Sequence, residues 1–250
     1  MDILVYVILL LALVLTVLGA VLASRSNFIQ LRRISAYNAM PLTVGEAVES
    51  EKAVHVSFGS SAIRDTSTIA AVATADILYY LSERAALADK GILVTLSDPV
   101  TLALGQDVLR RAYKARDVLR KYRTTMSRWY PQGPLSLAFA AGVGAAILDE
   151  DVSTNILTGR YGPELMLLTE NAIRYDRYVI AQSEQIDGQA VAYAVSDSPL
   201  IGEELYTAGA YLSRRPIQIG GVFAQDAFRI GIVALILGLF ILTLLGVAPK

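Results

Sequence analysis

Two uncharged apolar runs, one near each end of the chain, constrain the fold more than any other feature. The first covers 21 residues, 3–23, and the second covers 18 residues, 230–247. About 20 apolar helical residues are enough to cross a bilayer, and a core helix rarely avoids polar residues over five turns. We therefore expect transmembrane helices at 1–23 and 230–247. A cleaved signal peptide fits the first run poorly, because Asp2 stands where a signal carries positive charge and the run exceeds a signal core of about 7–15 residues.

Basic residues at the inner end of each apolar run predict its orientation. Cytoplasmic segments beside membrane spans are enriched in Lys and Arg. The residues concerned are Arg25, Arg32 and Arg33 after the first run and Arg214, Arg215 and Arg229 before the second. We therefore expect an integral membrane protein whose central domain is cytoplasmic and whose termini both lie on the outer side. The chain has no cysteine, so disulfides are excluded.

The segment between the runs alternates strand and helix patterns. Short β-branched runs end at Gly59 and Ser97, and each is followed by helix-capping residues and a helical apolar period. Such a succession indicates a mostly parallel sheet covered by helices, so we expect an α/β, Rossmann-like fold. The expected limits are a domain at 54–213, juxtamembrane connectors at 24–53 and 214–229, strands at 54–58 and 92–96, and helices at 69–88 and 99–122.

The second half of the domain predicts a weaker version of the same pattern. Residues 192–212 resemble residues 93–113 in the order strand, Ser-Asp turn, proline and helix. A duplicated βαβα unit would explain this similarity, and so would the shared chemistry of helix starts. The expected elements are strands at 135–141, 177–182 and 190–195 and helices at 163–175 and 199–212.

The turn after the first strand is the best candidate for a ligand site, because parallel α/β sheets bind ligands at the carboxyl ends of their strands. Backbone N–H groups, hydroxyls and one positive charge could hold a small anion there, such as a nucleotide phosphate. The residues are Gly59, Ser60, Ser61, Arg64, Thr66 and Ser67. Neither GxGxxG nor a P-loop pattern is present. Serine and threonine also cap helices, and this alternative stays open.

No group of residues predicts catalysis, a metal or a cofactor. Asp149, Glu150 and Asp151 are consecutive, so their carboxylates point in different directions and lack the alternating spacing of a calcium loop. His55 is the single histidine, and no nucleophile or acid is placed beside it for base catalysis. A structural role is expected for His55. We therefore do not expect an enzyme.

Charge is strongly segregated along the chain. Residues 101–130 contain eight basic residues against two acids, whereas residues 149–204 contain eleven acids against three arginines. Complementary patches on one chain favour a head-to-tail contact between copies, assisted by small residues of the spans. The residues expected to contribute are Arg110, Arg111, Lys114, Arg120, Asp149, Glu150, Asp151, Gly231 and Gly238. Two alternatives stay open: both charged faces could simply be solvated, or the basic segment could bind anionic lipid headgroups. Nucleic acid is not expected as a partner, because the acidic segment would repel its phosphates.

The chain resembles a family of bacterial two-pass membrane proteins known only as a domain of unknown function. The resemblance rests on the terminal runs, on AYNAMPLTVGEAVESEKAVHVSFGSS at Ala36–Ser61 and on AVSDSPLIGEELYTAGAYLSRR at Ala194–Arg215. It implies location in a bacterial inner membrane, and no activity, substrate or catalytic residue.

These features together predict a membrane-anchored scaffold that self-associates through a cytoplasmic α/β domain. A membrane-bound sensor for a small anionic ligand is the alternative. Homo-oligomers and lipid are the expected partners.

Overall fold

The computed structural model describes residues 2–25, 31–132 and 136–244. They form two compact units. One contains the two apolar terminal helices, and the other contains residues 33–212.

The terminal helices are α1 (Asp2–Arg25) and α8 (Pro216–Leu244). Both are long and apolar enough to cross a membrane, with mean hydropathies of 3.0 and 2.5. The helices pack against each other at glycines: a Cβ on Gly19 would lie 2.9 Å from the Cα of Gly220. Most of the connector predicted at 214–229 is helical, because α8 already begins at Pro216. Residues 245–247 of the predicted second span lie outside the described residues.

The second unit alternates helices and strands along the chain. Short 3₁₀ segments and a π-helical turn join or extend them. The elements are α2 (Ser35–Glu49), β1 (Ala53–Gly59), α3 (Thr68–Ala85), β2 (Ile92–Leu96), α4 (Pro99–Ala115), β3 (Ser127–Trp129), α5 (Leu137–Asp149), β4 (Val152–Arg160), α6 (Leu165–Arg174), β5 (Tyr178–Ala181) and α7 (Ile186–Val195), with 3₁₀ segments at Leu119–Lys121, Thr124–Met126 and Gly202–Thr207 and the π turn at Gly209–Ser213.

The five strands form one sheet in the order β3-β2-β1-β4-β5. Every pairing is parallel, and Val56 at the centre lies opposite both Val94 of β2 and Ile156 of β4. This order is that of doubly wound dinucleotide-binding folds. The predicted α/β, Rossmann-like fold is therefore confirmed. From β1 the chain adds strands first on one side of the sheet, as β2 and β3, and then on the other side, as β4 and β5, so the strand order reverses between β1 and β4.

Helices cover both faces of the sheet and bury two apolar clusters. Val54, Val56 and Phe58 alternate along β1 and enter the cluster shared with α2, α3 and α4. Leu157 of β4 and Val179 of β5 enter the other cluster, which α5, α6 and α7 cover. Burial on both faces is expected of a parallel sheet whose crossovers are helical.

Several elements lie where the sequence predicts them. The strands predicted at 54–58, 92–96 and 177–182 are β1, β2 and β5, and the helices predicted at 69–88 and 163–175 are α3 and α6. The helix predicted at 99–122 is shorter, because α4 ends at Ala115.

Two predicted strands are wrong. Most of the strand expected at 135–141 belongs to α5, and the strand expected at 190–195 belongs to α7. Short alanine-rich runs are ambiguous between strand and helix, and the buried residues of α5 show helical spacing. The helix expected at 199–212 is instead a 3₁₀ segment followed by a π turn. Residues 192–212 therefore do not repeat the β2–α4 structure of residues 93–113.

Three elements are missing from the sequence-based prediction. The connector predicted at 24–53 contains α2, whose Tyr37 and Met40 are buried in the core despite Pro41 inside the helix. β3 is only three residues long. β4 is the longest strand and lies beside β1, yet it contains buried Thr154, Asn155 and Thr158 and so lacks an apolar pattern.

Candidate functional site

The outer side of α5 is exposed and apolar as far as Leu148, and the exposed Asp149 ends the helix. Four residues form a line along it: Ala138, Ala141, Ala145 and Leu148. We call this line the α5 face. Leu137 beside it is 51% exposed and Leu148 is 38% exposed. The spacing of three, four and three residues places all four on one side of the helix.

Two glycines let neighbouring groups pack closely on either side of the α5 face. On one side the ring of Tyr130 contacts Gly142, where an added Cβ would lie 2.8 Å from Cε1 of the tyrosine. On the other side Asn171 of α6 contacts Gly144, where a Cβ would lie 2.6 Å from Nδ2. Glycine inside a helix costs about 0.5–1 kcal/mol relative to alanine, and these close contacts explain why it is present. The α5 face thus stands between two packed flanks.

Apolar side chains are exposed on α6 as well. Leu167 lies one helical turn before Asn171, hence on the side of α6 that faces α5, and it is 48% exposed. Met166 and Ile173 of the same helix are 56% and 52% exposed. Glu170 and Arg174 of α6 form an ion pair with each other. The charged residues of this surface therefore neutralise each other and leave its apolar part without an unpaired charge.

A small crevice lies at the carboxyl edge of the sheet, where the strand order reverses. Its volume is about 230 Å³, below the range of about 300–1,000 Å³ typical of ligand pockets. Glu164 is buried there, and its Oε1 accepts a hydrogen bond of 2.8 Å from the N–H of Gly162. A carboxylate thus occupies a position near the start of α6 where a phosphate-binding loop presents free N–H groups. The lining residues are Ser60, Gln132, Ser136, Gly162, Pro163, Glu164 and Gln185.

Of the six residues predicted to hold an anion, Ser60 is the one that lines this crevice. The Ser61 hydroxyl accepts a hydrogen bond of 2.9 Å from the N–H of Arg160, and the Ser67 hydroxyl accepts one of 3.0 Å from the N–H of Ala62. Both hydroxyls therefore bond to backbone N–H groups around the turn, and the Ser67 hydroxyl makes no capping bond to α3. Ser60 also donates to the carbonyl of Arg160.

The other three predicted residues are backbone or surface positions. Gly59 has φ +58°, and a Cβ there would lie 2.8 Å from Cζ of Tyr161. Arg64 is exposed with φ 78°, and Thr66 is exposed.

The nearby guanidinium of Arg160 is paired. Its Nη1 lies 2.7 Å from Oδ2 of Asp65. The hydrogen bond from the N–H of Thr66, together with Arg160, lowers the pKa of Asp65. Burial raises the pKa of Glu184, which also faces this pair. An anion at this edge would have to compete with two carboxylates.

Two of the three acids predicted to contact another copy form ion pairs within the chain instead. Glu150 binds Arg128, and Asp151 lies 3.3 Å from Lys90 and 2.8 Å from Arg177. Asp149 is exposed at the end of α5.

The basic residues predicted for the same contact are exposed on and after α4: Arg110, Arg111, Lys114 and Arg120. Arg111 pairs with Asp107 at 2.9 Å on the same helix. Gly231 and Gly238 have open space around them. The glycine that packs α8 against α1 is Gly220, which lies outside the predicted span.

His55 is a buried structural residue, as predicted. Its Nδ1 lies 3.0 Å from Oδ1 of Asn155 on β4, and its Nε2 lies 2.8 Å from Oγ1 of Thr95 on β2. The amide oxygen can only accept, so Nδ1 carries the proton and Nε2 accepts from Thr95. Burial lowers the pKa of His55 to about 4. Among the described residues, no group of three or more His, Asp or Glu side chains could hold a metal ion.

Comparison with curated proteins and with solved structures gives no match. A family model described as Domain of unknown function (DUF6754) matches residues 1–249. This match spans the terminal helices, the α/β domain and both segments on which the resemblance rests. The chain therefore belongs to the DUF6754 family, a domain of unknown function.

Proposed function

We propose that this chain is a membrane-anchored scaffold that self-associates through the α5 face of its α/β domain. The observation that carries the proposal is the unbroken apolar line Ala138, Ala141, Ala145 and Leu148 on the solvent side of α5. A solvated helix normally presents polar residues on its outer side. α5 exposes a polar side chain only at its last residue, Asp149.

The partner we propose for the α5 face is α5 of a second copy. The 3-4-3 spacing is that of a helix-pairing seam, and alanines at three of its four positions let two helix backbones come close. In an antiparallel pair, Asp149 of one copy comes beside the first turn of the other α5. The first turn is the positive end of the helix dipole. In a twofold contact of this kind, both copies use the same surface residues, so each α5 face is covered by the other.

This contact replaces the head-to-tail contact expected from charge segregation. Glu150 and Asp151 form ion pairs with Arg128, Lys90 and Arg177 of the same chain. Recruiting them to another copy would require breaking these pairs, so an apolar contact is favoured.

Membrane anchoring strengthens such a contact. Two 13-residue helices bury less than the roughly 1,600 Å² of a standard stable interface. Anchors that hold the domains at one surface raise their effective concentration. We propose that α1 and α8 both span the membrane, with the domain on the cytoplasmic side and the termini outside, because the basic residues cluster at the inner ends of the spans.

The mass of the purified protein in mild detergent tests the proposal. We expect the wild type to be at least a dimer, and Ala141→Glu to be monomeric, because a carboxylate buried at the seam of both copies costs several kcal/mol. Ala103→Glu is the matched control: Ala103 is an exposed alanine of α4, on the other face of the sheet. Equal loss of mass in both variants rules out this scaffold, and so does a wild type that is monomeric in detergent and also fails to cross-link between copies in its membrane.

A membrane-bound sensor is the second candidate, and the crevice at the strand-order reversal favours it. Since Glu164 lines the crevice and Arg160 is paired with Asp65, we expect a small polar ligand rather than a nucleotide phosphate. A thermal-shift screen of nucleotides and of neutral polar metabolites tests it. A sensor is supported if a compound stabilises the wild type and does not stabilise Glu164→Gln. If no compound does this, the result counts against a sensor.

A further inference from the structure

A larger cavity lies at the opposite, amino-terminal edge of the sheet. Its volume is about 400 Å³, within the usual range for small-molecule pockets. It opens beside the starts of β1 and β2 at Ala53 and Ile92, and Met126 just before β3 forms another part of its wall. We call it the amino-edge cavity. It shares no residue with the α5 face or with the crevice at the carboxyl edge.

The charged lining of the amino-edge cavity is predominantly basic. Four cations from three segments of the chain line it, together with two acids. The cations are Lys90, Lys121, Arg123 and Arg128, and the acids are Asp89 and Glu150. Charges of one sign gathered in a concave site attract ligands of the opposite sign.

Three of the four cations are held in place by partners. Lys121 lies 3.2 Å from Asp89 and donates to the carbonyl of Leu87 at 3.0 Å. Arg128 binds Glu150, and Lys90 lies 3.3 Å from Asp151. These bonds hold the three cations at the cavity wall. Their carboxylate partners offset most of their charge, so an anion would bind chiefly through a cation that has no such partner.

Arg123 differs from the other three. Within residues 2–25, 31–132 and 136–244 its guanidinium has no carboxylate at ion-pair distance, and the residue is exposed at the cavity. Thr125 beside it adds a hydroxyl donor. A planar fork of N–H donors matches two oxygens of a phosphate group.

We propose that the amino-edge cavity binds a phosphate-bearing anion through Arg123, with Lys121, Lys90 and Arg128 as supporting cations. Such an anion could be a soluble polyphosphate or the headgroup of an anionic phospholipid, since both offer the same oxygens. This site does not depend on the scaffold function, because its residues lie apart from the α5 face.

The experiment uses the full-length protein in nanodiscs of neutral lipid, titrated with pyrophosphate by calorimetry. We expect Arg123→Gln to weaken binding at least about tenfold, which corresponds to about 1.4 kcal/mol. Arg110→Gln is the control with the same change of net charge, because Arg110 is exposed on α4 and does not line the cavity. It should change the affinity by less than about twofold, since solvated charges are screened.

A second arm separates the two sources of phosphate. Nanodiscs with added phosphatidic acid are compared with neutral ones by thermal unfolding of the wild type and of Arg123→Gln. Stabilisation of the wild type alone by the anionic lipid supports the headgroup, and pyrophosphate binding in neutral nanodiscs supports a soluble anion. The proposal is overturned if neither probe binds, or if Arg110→Gln loses as much affinity as Arg123→Gln.

Discussion

Protonation of His55 should make the protein markedly less stable in mild acid. His55 is fully buried between Asn155 and Thr95, and burial lowers its pKa from 6.5 to about 4. Between these values the unfolded chain binds a proton that the folded chain does not, so stability falls as the pH falls. Each pH unit costs about 1.4 kcal/mol. The loss is therefore about 2 kcal/mol between pH 6.5 and 5 and about 3 kcal/mol at pH 4, out of the 5–15 kcal/mol typical of a domain.

Denaturant unfolding of the detergent-solubilised protein at pH 7 and pH 5 measures this loss. Trp129 is the single tryptophan and provides the fluorescence signal. His55→Gln lacks the titrating group, whereas carboxylates such as Asp65 and Asp151 titrate equally in both proteins. We expect the wild type to lose about 2 kcal/mol more than His55→Gln over this interval. An equal loss in the two proteins would refute the argument that burial keeps His55 neutral.

Three further predictions concern stability and assembly. In denaturant unfolding, Gly59→Ala should destabilise the fold by more than Gly202→Ala. Both glycines have positive φ, which costs alanine about 1–2 kcal/mol, but the Cβ would meet the ring of Tyr161 at Gly59 and open space at Gly202. Equal losses of stability in the two variants would contradict this. Asn155→Ala should lower the free energy of unfolding by about 2–4 kcal/mol, because the buried N–H of His55 loses its acceptor and a cavity remains. A loss below about 1 kcal/mol in urea titration would show that water replaces the amide. Ala145→Glu should lower the mass in detergent as Ala141→Glu does, with Ala103→Glu unchanged, as light scattering would show.

The elements that could be predicted from the sequence are those whose local pattern agrees with their surroundings. β1 and β2 are short apolar runs ended by Gly59 and Ser97, and Asp98 caps α4 by accepting from the N–H of Thr101 at 2.7 Å. Capping and periodicity are local signals, and tertiary packing did not override them here.

The elements that were missed depend on contacts between distant residues. β4 reads as polar, yet Asn155 bonds to His55, and Thr158 lies 3.2 Å from Thr74. Those partners are separated from β4 by long stretches of chain, so no window of sequence shows that its polar residues are satisfied. α2 contains Pro41, which suggests a break, but its apolar side is buried in the core.

The candidate site was hidden for a related reason. α5 is apolar on every side, so its sequence does not show which apolar residues face solvent and which face the sheet. The buried residues Phe139, Val143 and Ile147 repeat every four positions, and this was the one available signal for a helix. Likewise, the charge segregation is visible in the sequence, but the pairing of Glu150 with Arg128 is not.

Disulfide cross-linking between differently tagged copies tests the central claim most directly. The chain has no cysteine, so introduced cysteines report without background. In an antiparallel pair centred on the α5 face, residue 141 of one copy lies opposite residue 145 of the other. Co-expression of Ala141→Cys and Ala145→Cys, followed by mild oxidation in intact membranes, should yield a dimer that carries both tags. No such dimer, or an equal yield when Ala103→Cys replaces one partner, would contradict assembly through α5.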